Sequence, residues 1–189
     1  SLAPLGYLYS PDKDKWHISD QAADYFFIGK NKISFELPGL LSGIQHHSSW
    51  KKNKGLFPMF DIESYKKSTK KSKILNFLST NEKTFSSELK SILSVDDTIT
   101  LIIEHNQKHS LKLQRNFIID MINHGIKNPL IVWKNYFSNS NVEFQLSSAI
   151  DLGSLMIDGL IDGLSIQFSS DRSLSNQTSF GILQASRLR

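Results

Sequence analysis

The sequence predicts an α/β fold: a reduced or incomplete (β/α)8 TIM-barrel-like domain with parallel strands and an irregular N-terminal third. Three observations carry this. From about residue 73 onward, strand-like and helix-like segments alternate with short connectors, the mark of parallel strands crossed by helices. The segments 99–103 and 130–133 are apolar at consecutive positions, as a sheet covered on both faces requires. The chain has 189 residues, whereas a full barrel typically takes about 250.

Residues 1–72 read as an irregular lead, punctuated by Gly6, Pro11, Pro38, Gly39, Gly43, Gly55 and Pro58. Two strand-like runs stand out there, Asp24 to Ile28 and Ile33 to Leu37. Between them Gly29-Lys30-Asn31-Lys32 could close a hairpin. Residues 73–189 read as βα repeats. Ile74 to Leu78 is a buried strand, and Phe85, Leu89, Ile92 and Leu93 fall on one helical face. Thr98 to Ile103, rich in β-branched residues, is the next strand. Leu111, Phe117, Ile118, Met121 and Ile122 mark a helix ended near Gly125. Pro129 to Trp133 is a third strand, followed by a helix over about Gln145 to Ile157. Leu164 to Phe168 is a fourth, followed by a helix over about Thr178 to Arg187. Phe77, Ile102, Ile131, Val132 and Ile166 are the expected core.

Composition narrows the functional classes. The chain has no cysteine, which excludes a disulfide framework, a thiolate nucleophile and a Cys-ligated metal centre within these residues. No apolar run approaches the roughly 18 residues of a membrane span, and no charged start followed by an apolar stretch marks a secretory signal within these residues. The chain therefore reads as soluble and cytoplasmic. It opens on Ser1 and stops at Arg187-Leu188-Arg189 in mid-pattern, so it also reads as a piece of something longer. The net charge of +4 is local. Lys51, Lys52, Lys54, Lys66, Lys67, Lys70, Lys71 and Lys73 share one stretch with only Asp61 and Glu63, a net +6 that leaves the remainder at −2. Among the cations 18 are Lys and 4 Arg, a balance unlike that of proteins that read nucleic acid through bidentate Arg contacts. The run reads as a solvated face, with residues 66–73 exposed.

Candidate chemistry is sparse. His46-His47 with Trp50 is the most ligand-like pair, but adjacent histidines diverge on a regular element and no third ligand completes a zinc set. Glu104, His105 and His109 lie at the end of a strand, where parallel α/β folds bind ligands. With Trp133 and Lys134 at the next strand end, Glu104 and His109 could form an autonomous small-molecule site. No phosphate-binding glycine loop and no nucleophile elbow is present. Asp151 to Ile166 is the distinctive segment. A helix runs into two successive Asp-Gly pairs, Asp158-Gly159 and Asp162-Gly163, and then a strand. Each Asp can bond its own downstream backbone and each Gly can take positive φ, which describes an αβ loop at the stability end of a barrel.

This segment resembles the 4-hydroxy-3-methylbut-2-enyl diphosphate synthase family. In the long, three-domain (plant-type) form, the inserted middle domain closes on Gly-x-Leu-x-x-Asp-Gly-Leu-Gly-Asp-Gly, which stands here as Gly153 to Gly163 with Ile161 in place of a glycine. A Thr-Ser-Phe-x-x-Leu-Gln-x-x-Arg-x-Arg run follows in the family and is matched by Thr178 to Arg189, including Gln184, Arg187 and Arg189. Lys15-Trp16-His17 and Phe35 to Gly39 are also similar to the insert. The resemblance implies an oxidoreductase parent of the methylerythritol phosphate route to isoprenoids. Its substrate barrel precedes this insert, and its cluster domain follows with a [4Fe-4S] cluster on three cysteines and one glutamate. It opens the ring of 2-C-methyl-D-erythritol 2,4-cyclodiphosphate with electrons from ferredoxin or flavodoxin. A related motif in the parent's first barrel places an Arg and a Ser on the substrate's phosphates, and the corresponding positions here are Ser165 and Gln167. The resemblance thus implies a single inserted domain, cut before the cluster domain. It would be an inactive spacer with no catalytic, cofactor or metal residues of its own, serving the other two domains and no nucleic acid or membrane.

Overall fold

The computed structural model describes residues 1–81, 83–104, 110–138 and 140–186. Its centre is a sheet of seven parallel strands in strictly sequential order: β3 (Tyr25–Gly29), β4 (Ser42–His46), β5 (Leu56–Phe60), β6 (Asn76–Thr80), β7 (Ile99–Ile103), β8 (Leu130–Tyr136) and β9 (Gly163–Phe168). A separate antiparallel pair, β1 (Tyr7–Ser10) and β2 (Lys15–Ile18), precedes it. The helices are α1 (Ile62–Lys67), α2 (Ser87–Leu93), α3 (Leu111–Asn123), α4 (Asn141–Ser148), α5 (Ser154–Ile157) and α6 (Arg172–Ala185). A π-helical segment, Ala149–Gly153, joins α4 to α5, so 141–157 is one helix with a wide turn in its middle.

The period of two along each strand sorts side chains onto two faces. Phe60, Leu78, Leu101, Ile103, Leu130 and Val132 face the helices, where they meet Leu89, Phe117, Ile118, Leu152 and Leu155 in the main core. Ile44, Phe57, Met59, Phe77, Ile102, Ile131 and Trp133 face inward. The sheet curls strongly enough that Tyr25 of β3 meets Phe77 of β6, and Phe27 of β3 meets Trp133 of β8, both edge to face with ring centres 5.3 and 5.2 Å apart. The fold is an incomplete barrel whose bore is filled by side chains.

The segments 99–103 and 130–133 pair in parallel, as the alternation required. Phe77, Ile102 and Val132 are buried. Ile131 and Ile166 are only half-buried, because Ile131 faces the open side of the curl and Ile166 lies on the edge strand β9.

The first third differs from its reading. No hairpin closes at Gly29–Lys32. Residues 33–37 form no strand, and β3 pairs in parallel with β4. A two-residue hairpin of the favoured kind needs positive φ at its centre, and only Gly29 supplies it, with φ 60°. The chain returns instead through residues 30–41 and anchors on buried Leu41. Three of the seven strands thus lie within residues 1–72. The connections β3 to β4 and β4 to β5 are loops rather than helices, and β5 pairs directly with β6.

Candidate functional site

The C-terminal strand ends gather Lys30, His46, His47, Asp61, Ser79, Glu104, Asn135 and Gln167. Most are held by neighbours. Asp61 caps α1: its Oδ1 accepts from the Ser64 N–H at 2.7 Å while the Asp61 N–H donates to Ser64 Oγ at 3.1 Å. The bond from the Ser64 N–H holds the Asp61 carboxyl below its usual range, against its partial burial. Glu104 accepts from the Ser79 hydroxyl, and Asn135 Oδ1 from Trp133 Nε1 at 3.2 Å.

His46 and His47 do not diverge. The strand ends at His46, and the turn that follows brings the two ring centres within 4.5 Å, with His47 stacked on Phe60. His46 Nδ1 lies 2.8 Å from Ser48 Oγ. Burial lowers the His46 pKa, and the neighbouring His47 and Lys30 add to this against a smaller pull from Asp61. Trp50 donates its Nε1–H to the Leu56 carbonyl at 2.9 Å, which fixes the 47–55 loop.

Of the set Glu104, His109, Trp133 and Lys134, the two members on β8 face opposite ways. Trp133 faces inward. Lys134, one residue on, faces the helices, is 4% exposed and pairs with Asp151 of the π segment. Tyr136 Oη donates to the same Asp151 oxygen at 3.2 Å, and burial first, then Asp151, raises the Tyr136 pKa. His105 and His109 lie outside the described residues, as do Arg187 and Arg189.

Sequence reasoning missed an open cleft of about 600 Å³ at the ends of β8 and β9, lined by Phe137, Ser138, Ser140, Glu143, Ser169 and Ser170. The N-termini of α4 and α6 point into this corner, where barrels commonly take phosphate. Here the chain's own groups occupy the donors. Asp171 Oδ1 accepts from Ser173 N–H at 2.8 Å and Leu174 N–H at 3.0 Å. Ser140 Oγ accepts from Glu143 N–H, and the Glu143 carboxylate accepts from Ser138 Oγ at 2.7 Å. Ser165 and Gln167 add no charge beside them, and Arg172 is exposed. The Ser140-x-x-Glu143 spacing was the legible signal, since Ser followed three residues on by Glu marks a helix start.

The Asp-Gly motif lies at the opposite end of the barrel. Gly159 has φ 66° and ends α5, with the Leu160 N–H donating to the Leu155 carbonyl at 2.9 Å. Asp158 pairs with Arg115 of α3. Asp162 Oδ2 accepts from the Leu130 N–H at 2.8 Å, and the Asp162 N–H donates to the Leu130 carbonyl at 2.8 Å, clamping the start of β8. Ile161 takes ordinary negative φ and is buried in the main core. Gln184 is exposed on α6.

The residues do not fit a cluster or a metal of the implied kind. The sequence has no cysteine, and no group of three His, Asp or Glu suited to a metal occurs among the described residues. No described helix is long and apolar enough to cross a membrane.

The chain is similar to curated proteins called 4-hydroxy-3-methylbut-2-en-1-yl diphosphate synthase (flavodoxin). It is 29% identical to that of Bacteroides thetaiotaomicron over 168 residues, 88% of this chain and 27% of the relative. It is 27% identical to that of Parabacteroides distasonis over 168 residues, again 88% and 27%. With that of Phocaeicola vulgatus it shares 27% identity over 139 residues, 72% of this chain and 23% of the relative. The chain thus spans about a quarter of the length of these relatives. No protein-family model matches it, and no solved structure does.

Proposed function

We propose that this chain is a non-catalytic spacer domain of a cytoplasmic 4-hydroxy-3-methylbut-2-enyl diphosphate synthase. It separates a substrate-binding barrel from a [4Fe-4S] cluster domain in one polypeptide that takes electrons from flavodoxin or ferredoxin. The relatives' shared name supports the parent activity. The observation that carries the spacer reading is the corner at β8 and β9: the amides a phosphate would use are bonded to Asp171 and Ser140, and Glu143 adds a like charge. An incoming diphosphate would have to displace a carboxylate and face another. Linking two modules through a rigid α/β block sets how often they meet, through the distance it imposes.

A thermal melt with millimolar cyclic diphosphate at fixed ionic strength, with inorganic diphosphate as control, tests this. A ligand at about 100 times its Kd would stabilise the fold by roughly 2.7 kcal/mol, several degrees for a domain of this size. No shift is expected. An upward shift specific to the cyclic compound would overturn the spacer reading and return attention to the strand ends around Glu104 and His46.

A further inference from the structure

The outer faces of the helices differ in charge. α1 exposes Glu63, Lys66 and Lys67, α2 exposes Lys90, and α3 sets exposed Ile119 and Ile122 among exposed Lys112 and Asp120. The last two helices in sequence depart from this. From residue 144 to 157 the only charged residue is Asp151, which is turned to buried Lys134, and from 173 to 186 there is none. Along the first of them Val142, Leu146 and Ile150 follow one another a turn apart and are 72%, 59% and 56% exposed. Single exposed apolar residues are ordinary, but a row of them on an uncharged face marks an interaction surface.

α6 runs beside this ridge. Leu174 packs on the stacked Phe144 and Phe168 rings near the first turns, and an added Cβ at Gly153 would meet Ile182 at 3.9 Å. The two helices therefore run in the same direction, with Ile150 level with residues 179–181. There α6 exposes Gly181 and, one turn on, Ala185. Nothing lies within 4 Å of where a Gly181 Cβ would be. A glycine weakens a helix interior, and this one leaves a trough. The face thus holds a ridge of large apolar side chains and, alongside it, a trough of small ones.

We infer that this face binds a second copy of the chain, related by a two-fold axis that runs along the groove between α4 and α6. Such an axis lays the ridge of each copy in the trough of the other, with Ile150 over Gly181, so one patch serves both copies. It also sets Glu143 and Arg172, exposed in the first turns of α4 and α6, against each other as opposite charges. A copy docked on the lysines of α1 would meet like charges; on this face it meets none. Helices of 17 and 14 residues are about 25 and 21 Å long and pack about 10 Å apart. Counted with side-chain relief, that face is near the ~800 Å² each partner gives a stable interface.

Sedimentation velocity on the 189-residue chain over about 1–100 μM tests the inference. The mean mass should climb toward twice that of the monomer. Ile150→Lys, which drives an unpaired charge into the trough, should weaken the dimer at least about tenfold. Gly181→Met, which fills the trough, should weaken it by a similar factor. Met is also the better helix former, so the urea midpoint of that variant's monomer should be equal or higher, which separates a lost interface from a damaged fold. A monomer mass through 100 μM would overturn the inference, and so would a dimer that survives either substitution.

Discussion

Glycines 153, 159 and 163 share one motif and have three different local environments. Gly159 sits in left-handed backbone with open space around it, so Gly159→Ala should cost about 1 kcal/mol through the backbone alone. Gly153 has helical φ and ψ, and a Cβ there would make an ordinary 3.9 Å contact with Ile182. Gly153→Ala should therefore stabilise by about 0.5 kcal/mol. Gly163 faces Ile131, whose Cγ1 would lie 3.2 Å from an added Cβ. Urea denaturation of the two alanine variants separates conformational need from helix propensity; equal losses would refute the distinction.

Lys134 and Asp151 make a sharper residue-scale case. Their side chains are 5% and 17% exposed, and removing one charge from a buried pair typically costs about 3–5 kcal/mol. Lys134→Met should fall in that range, while Lys134→Met with Asp151→Leu should recover most of the loss, as measured by urea midpoints. Asp96 gives a pH signature. Burial opposes its ionisation, but bonds from the Thr98 side chain, Tyr65 and the Thr98 N–H, together with nearby Lys71, hold its pKa below the ordinary value. A carboxyl depressed on folding stabilises above its unfolded pKa, about 3.9, and that contribution is lost as pH falls through the folded pKa. Asp96→Asn should therefore flatten the decline in urea midpoint below about pH 4 relative to the unaltered chain.

At the scale of elements, the lysine-rich stretch divides. Lys70 and Lys73 are exposed, and reversing both should change stability by less than about 0.5 kcal/mol. Lys66 and Lys67 are exposed but pair with Glu88 and Glu63. Lys71, expected to be exposed, is half-buried with its ammonium 3.7 Å from the Tyr65 ring centre. Lys71→Glu would place a carboxylate against that ring and near Asp96, so it should cost more than about 1 kcal/mol, read by the same denaturation. The elements after residue 73 were legible because their apolar spacing follows one period at a time. β4 was not: Ser42-Gly43-Ile44-Gln45-His46 buries Gly43 and Gln45 as well as Ile44, and Gln45 is admitted to the interior by its bond to the Asn31 carbonyl at 2.7 Å. β5 carries Pro58, which reads as a break. Residues 33–37 alternate as a strand would, yet Phe35 is half-exposed and no partner strand pairs with them. At the candidate site the His46-His47 contact was hidden for a related reason, since it depends on where β4 stops.

On the scale of the molecule, the strand order has a kinetic consequence. Each strand of the large sheet after β3 pairs with the one before it in sequence, so each new pairing closes only the loop just synthesised. A chain emerging from a ribosome can therefore add each strand to a finished edge without waiting for distant sequence. The bond from Asn176 to Gln21 is of another kind: it joins positions 155 residues apart and cannot form until α6 is made. Assembly should therefore run from β3 toward β9, with the contact between the N-terminal segment and α6 made last. A chain stalled before residue 176 would hold most of its sheet and still lack the bond that ties residue 21 to α6.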